Sequence, residues 1–247
     1  MIWIFPMAGY GTRTKKYGAF KPLIEICKGY SILKTCLTGI KEMVKIDDEL
    51  IFITTIEQNK KHNVMKNIEK LLADLNLKAK FKIVLLKETP KGQALTIKNA
   101  INKINYDKVN KPCLVINPDQ LIFFDLNSIE KSKCSVGIYF NTKPSSCFYD
   151  LHICDNRVKK IKEKTKISHY ASSGVFYFNS VKNLYSCIKW AEKNNKFFNG
   201  ELFLGPCMEY FKDLLYFQTI VKFDLGNEHS IQLFKKFTKQ FIRGKKQ

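Results

Sequence analysis

FPMAGYGTRTKKYGAFKPLIEI, residues 5–26, follows a short apolar run and sets Gly9, Gly11, Arg13 and then Lys21 in the first loop of the chain. Residues 1–5 read as a first strand, since a short apolar run bounded by turn residues suits a buried strand. Gly9 and Gly11 allow backbone conformations and a close approach that a side chain would block. Successive N–H groups in such a turn can form an anion-binding concavity. Arg13 offers a planar fork to phosphate oxygens, and Lys21 a point charge. In open α/β sheets ligands bind at the carboxyl ends of strands, where this loop lies. The stretch matches neither G-x-x-x-x-G-K-[ST] nor G-x-G-x-x-G. On its glycines alone it is also ordinary punctuation after a strand.

Working outward, the first half alternates apolar runs with amphipathic stretches. Strands are expected over 2–5, 49–54, 81–86 and 112–116, and helices over 31–44, 60–77 and 92–104. The helix over 31–44 keeps Ile32, Leu33, Cys36, Leu37, Ile40 and Met43 on one side. Such alternation predicts an α/β fold, a three-layer α/β/α sandwich around a mixed, mostly parallel central sheet. The second half adds strands over 135–141, 148–153, 173–178 and 216–223. Asp155-Asn156 marks a turn before the run 157–163. Helices are expected over 181–194, 200–212 and 230–242. No repeat or linker divides the chain, so one domain over 1–247 is the economical reading.

Composition limits the function. The apolar fraction of 45% suits a globular core, and no run of about 18 apolar residues is present to span a membrane. The N-terminus lacks the positive region and small-residue site of a signal peptide. Eight cysteines stand scattered at 27, 36, 113, 134, 147, 154, 187 and 207, none in a C-x-x-C pair. They read as buried free thiols in a reducing cytoplasm rather than as zinc ligands. The formal charge of +20 is spread along the whole chain in lysines. Abundant lysine, asparagine and isoleucine point to coding bias rather than to a nucleic-acid surface. Only three arginines occur, Arg13, Arg157 and Arg243, which singles out Arg13.

Ala8-Gly9-Tyr10-Gly11-Thr12-Arg13, followed by Lys21-Pro22-Leu23, resembles the signature loop of the sugar-phosphate nucleotidyltransferases. It is closest to the compact members found beside capsule and lipopolysaccharide genes. Tyr10 stands where many relatives have a second glycine near the base and ribose, which leaves the base open. The resemblance continues. Glu88-Thr89-Pro90-Lys91-Gly92-Gln93-Ala94 is similar to the family's second, base-reading loop, which marks Thr89, Gly92 and Gln93. By themselves Gly92 and Gln93 also suit a helix start. Asn117-Pro118-Asp119-Gln120 looks like the family's metal-binding aspartate after a central strand, although Pro-Asp is a frequent turn. Glu163-Lys164, with Gly174-Val175-Phe176-Tyr177-Phe178, resembles the acceptor half, where the lysine meets a phosphate and the glutamate sugar hydroxyls. Taken alone this lysine-rich run is a solvated face. Asn199-Gly200-Glu201 matches a further acceptor motif, and also suits a helix N-terminus. Asp224-Leu225-Gly226-Asn227 resembles the family's Asp-x-Gly-Thr segment. Asp224 takes the place of a second metal ligand or serves as a capping turn.

The resemblance implies a fold like that of the nucleotide-diphospho-sugar transferases, with a nucleotide-binding half over 1–125 and an acceptor-binding half over 126–247. It implies nucleotidyl transfer with Mg²⁺ on Asp119 and Asp224. A nucleoside triphosphate and a small phosphorylated acceptor give a nucleoside-diphosphate product and pyrophosphate. Arg13, Lys21 and Lys164 are then the charge-neutralising groups. A sugar 1-phosphate is the default acceptor, and a cytidylyltransferase acting on phosphocholine is an alternative. Family members often form dimers. A glycosyltransferase of related fold is a rival reading, but Asn117 stands where its Asp-x-Asp motif needs the first acid. A nucleic-acid binder is the other rival, and predicts salt-sensitive association with no need of Asp119.

Overall fold

A computed structural model describes residues 1–9, 11, 17, 19–141 and 146–244, with side chains as far as 238. Its centre is β1 (Ile2–Pro6). Ile2 and Ile4 face one core, Trp3 and Phe5 the other, and all four are buried. A strand covered on both faces shows a continuous apolar run rather than alternation. Burying each such side chain contributes about 1.5–3 kcal/mol.

After the first loop come two short strands, β2 (Glu25–Cys27) and β3 (Tyr30–Ser31), which pair only with each other. Ser31 caps α1 (Ile32–Ile40) by accepting the Lys34 N–H. Then follow β4 (Glu49–Thr55), α2 (Ile56–His62), α3 (Val64–Asp74) and β5 (Lys80–Leu86). Thr55 and Gln58 form a reciprocal capping box at the start of α2. The single helix expected over 60–77 is thus two. It breaks at Asn63, whose φ of 47° is left-handed and ends α2. Next are α4 (Gln93–Lys103), β6 (Cys113–Ile116) and β7 (Gln120–Phe124).

The second half supplies β8 (Ser135–Phe140), β9 (Cys147–His152), β10 (Arg157–Glu163), β11 (Tyr170–Phe178), α5 (Val181–Lys193), α6 (Leu204–Cys207), β12 (Leu215–Asp224) and α7 (Glu228–Gly244). The helix expected over 200–212 shrinks to α6 and one 3-10 turn. Ahead of it Asn199 and Gly200, with φ of 48° and 76°, form a two-residue turn closed by Phe198 and Glu201. Two positive φ values are what a type I′ hairpin needs, so Asn199-Gly200 is a hairpin turn and not a helix start.

The ten-stranded sheet runs β5-β4-β1-β6-β11-β8-β12-β10-β9, with β7 pairing β12 off that path. Its first-half block is parallel. The direction reverses where β11 joins β6. This is the expected mixed α/β sheet. One face is covered by α4, α5 and α6, the other by α1 and α3. A third cluster joins Ile24 and Ile26 to Leu225, Ile231 and Phe234, tying α7 to β2. Strand β12 pairs with β8 through Gln218, then leaves it for β7. An irregularity between Thr219 and Val221 marks the departure. Six of the eight cysteines are buried and all are free. Among the described residues no helix is long and apolar enough to cross a membrane.

Candidate active site

The first loop leaves β1 at the carboxyl edge of the sheet. Met7 N–H donates to the Ile53 carbonyl at 2.8 Å, and Gln58 Nε2 donates to the Gly9 carbonyl at 3.0 Å. These two bonds hold Ala8 and Gly9 against β4 and α2. Among the described residues nothing lies within 4 Å of a Cβ built on Gly9, and Gly11 has φ of 61°. Tyr10, Thr12 and Arg13, expected to serve the nucleotide, lie outside the described residues.

Lys21 opens a 3-10 turn seated on buried Pro22. Its ammonium donates to Asp119 Oδ2 at 2.6 Å, joining positions 98 residues apart. Asp119 lies in the tight connection between β6 and β7. Its carbonyl accepts the Leu225 N–H at 2.8 Å, which places it beside the end of β12. There Asp224 accepts from Gly226 N–H at 3.1 Å, from Asn227 Nδ2 at 3.2 Å and from Ser230 Oγ at 3.2 Å. Gly226 stands between the two carboxylates. A Cβ on it would lie 2.9 Å from Asp224 Oδ1 and 3.1 Å from Asp119 Oδ2. Lys21, Asp119 and Asp224 therefore meet at one point of the sheet edge.

Lys222 faces the same region, and the sequence reading passed over it as one lysine among many. Burial pulls its ammonium down to about 8, while Asp224 and Asp119 pull it back up. It was legible only as a charge inside an apolar strand, two residues before a carboxylate.

A second cluster centres on Asn117. Gln93 Nε2 donates to Asn117 Oδ1. Asn117 N–H donates to the Gly174 carbonyl at 2.9 Å. Gly174 has φ of 78°, and a Cβ there would lie 2.8 Å from Asn117 Nδ2. Thus the second loop, the central strand and the acceptor strand share one contact. Gly92, with φ of 105°, packs so closely on Leu202 that a Cβ would sit 2.5 Å from its backbone N and O. Thr89 is half-buried in the same loop.

A third cluster gathers the expected acceptor residues. Lys164 follows β10 with φ of 50°, and its N–H donates to the Ser146 carbonyl. Its ammonium stands 5.1 Å from the Phe198 ring centroid and 4.5 Å from that of Phe203. Those rings flank the Asn199-Gly200-Glu201 turn. Burial raises the Glu163 carboxyl, while the Cys147 thiol and Lys164 draw it down. Leu202 carries the turn onto Gly92, so the second and third clusters adjoin.

Among the described residues no group of three or more His, Cys, Asp or Glu could enclose a metal. Two carboxylates flanking a glycine nonetheless suit a hard cation that takes its other ligands from phosphates and water.

No protein-family model matches the chain, and no curated protein matches it in sequence. Solved structures do match. A nucleoside-diphosphate-sugar pyrophosphorylase from Vibrio cholerae RC9 superposes with a TM-score of 0.81 at 20% identity, over 96% of this chain and 100% of that one. UDP-glucose pyrophosphorylase complexed with UDP-glucose gives 0.73 at 15% identity, over 97% and 98%. A Bacillus anthracis chain assigned as a glucose-1-phosphate thymidylyltransferase, in complex with sucrose, gives 0.71 at 17%, over 96% and 95%. From end to end, this chain has the fold of the sugar-phosphate nucleotidyltransferases.

Proposed function

We propose that the protein is a nucleotidyltransferase that joins a nucleoside triphosphate to a sugar 1-phosphate, giving a nucleoside-diphosphate sugar and pyrophosphate. The observation that carries this is the meeting of Lys21, Asp119 and Asp224 around Gly226. The neighbouring folds support it, because each is named for that chemistry.

In this reading residues 1–125 bind the nucleotide and 126–247 the acceptor. An acceptor phosphate oxygen attacks the α-phosphorus, a new P–O bond forms, and the bond to the β-phosphate oxygen breaks. A phosphate monoester with its second pKa near about 6 is already largely dianionic at neutral pH, so no side chain need take a proton. The residues therefore position groups and neutralise charge. Gly9 and Gly11 let the first loop approach the triphosphate. Lys21, and Arg13 from the sequence pattern, neutralise the triphosphate and the departing pyrophosphate. Thr89, Gly92 and Gln93 face the base. Lys164, braced over Phe198 and Phe203, meets the acceptor phosphate, and Glu163 with the turn at Asn199 and Glu201 meets sugar hydroxyls. Asp119 and Asp224 would hold Mg²⁺, which when bound supplies positive charge to phosphate oxygens. Such substrates and the free, buried thiols suit the cytoplasm. Nucleoside-diphosphate sugars are what surface polysaccharide synthesis consumes.

The test is pyrophosphate release with each of the four nucleoside triphosphates, Mg²⁺ and a panel of sugar 1-phosphates. Release is expected only when both substrates are present. Release that ignores the acceptor, or none with any pair, overturns the assignment.

A further inference from the structure

Where β12 parts from β8 after Gln218, the gap is a cavity of about 360 Å³. At about 30 Å³ per water it has room for roughly a dozen waters, enough for a six-membered ring with its substituents. Tyr139, Phe140, Tyr170, Gln218, Thr219 and Lys222 line it. Thr219 Oγ1 is committed to the Ile138 carbonyl at 2.9 Å. Lys222 reaches across the gap to the Ser172 carbonyl at 3.2 Å, and its ammonium stands 4.1 Å from the Tyr139 ring centroid. Ser172 is two residues before Gly174, and Lys222 two before Asp224. Lys222 and Ser172 thus join the cavity to Asp224 and to the Gly174 strand of the proposed site.

An ammonium has three donors, and Ser172 takes one. The others are available to a guest in the cavity. Aromatic walls alone would suit either a sugar ring or a quaternary ammonium, since both pack on aromatic faces. Here the Tyr139 face already holds a cation. A second unit charge about 5 Å from Lys222, at an effective dielectric of about 20, would be disfavoured about 100-fold.

We propose that this cavity seats the non-phosphate part of the acceptor, and that Lys222 is a specificity-determining residue that admits a polyhydroxylated ring and turns away a quaternary ammonium. The inference rests on the nucleotidyltransferase reading and deepens it. Hydroxyl oxygens of the ring accept from Lys222, and its C–H face packs against Tyr170 and Phe140.

The experiment measures acceptor KM, triphosphate KM and kcat for wild type, Lys222→Met and Tyr170→Ala, with hexose 1-phosphates and phosphocholine. Wild type is expected to favour a hexose 1-phosphate over phosphocholine by about 100-fold or more in kcat/KM. Lys222→Met should raise hexose 1-phosphate KM about tenfold, as for loss of one charged hydrogen bond, and shrink the discrimination. The triphosphate KM should hold within about twofold in both variants. Tyr170→Ala should raise acceptor KM alone, and it carries the test if Lys222→Met fails to fold. Unchanged acceptor KM in the folded variants overturns the inference. So does wild-type preference for phosphocholine, which leaves nucleotidyl transfer standing. If no pair releases pyrophosphate, calorimetric titration of wild type with each acceptor decides: hexose 1-phosphate binding that Lys222→Met abolishes sustains the cavity assignment, and binding of neither acceptor overturns it together with the reaction.

Discussion

Asp119 has one side chain and two claims on it, the ammonium of Lys21 and the cation it would hold in the proposed reaction. Asp119→Asn is expected to keep the fold and lose about 10²–10³ in kcat, the usual cost of a lost electrostatic partner. Circular dichroism and pyrophosphate release together check this. Lys164→Ala should act mainly on acceptor KM, since its ammonium is braced by Phe198 and Phe203 at the proposed acceptor side. Two glycines separate strain from collision. Gly92→Ala forces a side chain onto Leu202 backbone and should cost about 2–4 kcal/mol. Gly200→Ala keeps a positive φ but meets nothing within 4 Å among the described residues, so about 1 kcal/mol is expected. Urea denaturation compares them, and equal costs would contradict the close contact at Gly92. Glu163 gives a pH test. Burial raises its carboxyl above the ordinary 4.5. Below 4.5 the folded and unfolded chains both hold the proton, and no penalty arises. Above the raised value the fold bears the full cost of a buried charge. Glu163→Gln should therefore melt higher than wild type at neutral pH, with the gap closing as pH falls toward 4.5, while acceptor KM rises. A gap that does not vary with pH would contradict the burial. At this scale Asp119 and Asp224 were singled out by the family resemblance, and the structure brings their carboxylates to either side of Gly226. Lys222 was not, because its burial depends on Tyr139 and Ser172, far away in sequence.

Elements show the same division. The parallel block was readable because strands buried on both faces give unbroken apolar runs. The pair β2 and β3 is only three and two residues long, too short for any period to register. Strand β7 starts immediately after the Asp119 turn, and its buried Gln120 breaks the apolar pattern. The join between α2 and α3 was missed because one left-handed residue, Asn63, does not disturb helical spacing on either side. Asn199-Gly200 carried the hairpin signal plainly, and the apolar residues beyond it outweighed that signal. Gly39 shows why β7 matters. A Cβ there would lie 2.3 Å from the Ile122 carbonyl oxygen, so α1 can rest on β7 only as a bare backbone. Gly39→Ala should lower stability by about 2 kcal/mol or more and also reduce kcat, because β7 begins one residue after Asp119. Thermal melts and turnover check it, and normal kcat in the folded variant would uncouple α1 from the site.

Over the whole molecule, a net charge of +20 repels itself. Raising salt from about 0.01 M to about 0.1 M shortens the screening length from about 30 Å to about 10 Å. The melting temperature should rise by about 2–4 °C, equivalent to about 1 kcal/mol in a chain of this size. A melting temperature that falls with salt would mean that local ion pairs such as Lys98 with Glu192 outweigh the repulsion. Charge was visible in the sequence from the start, but its sign alone does not choose between nucleic acid and small phosphorylated substrates. What separates the readings is the placement of a few lysines: Lys21 on Asp119, Lys164 over two rings and Lys222 in the cavity wall.

The irregularity in β12 has a consequence for evolution and engineering alike. Ile220 is the surplus residue there, facing solvent while Thr219 opposes Phe124 and Val221 opposes Phe123. Before it, odd-numbered Phe217 points to the α1 core. Beyond it, even-numbered Lys222 and Asp224 oppose the buried Ile122 and Gln120. One uncounted residue reverses the parity of the strand. Were the strand to pair regularly with Ile220 kept in line, lysine and aspartate would turn outward and Val221 and Phe223 inward, emptying the site of charge without altering a single functional side chain.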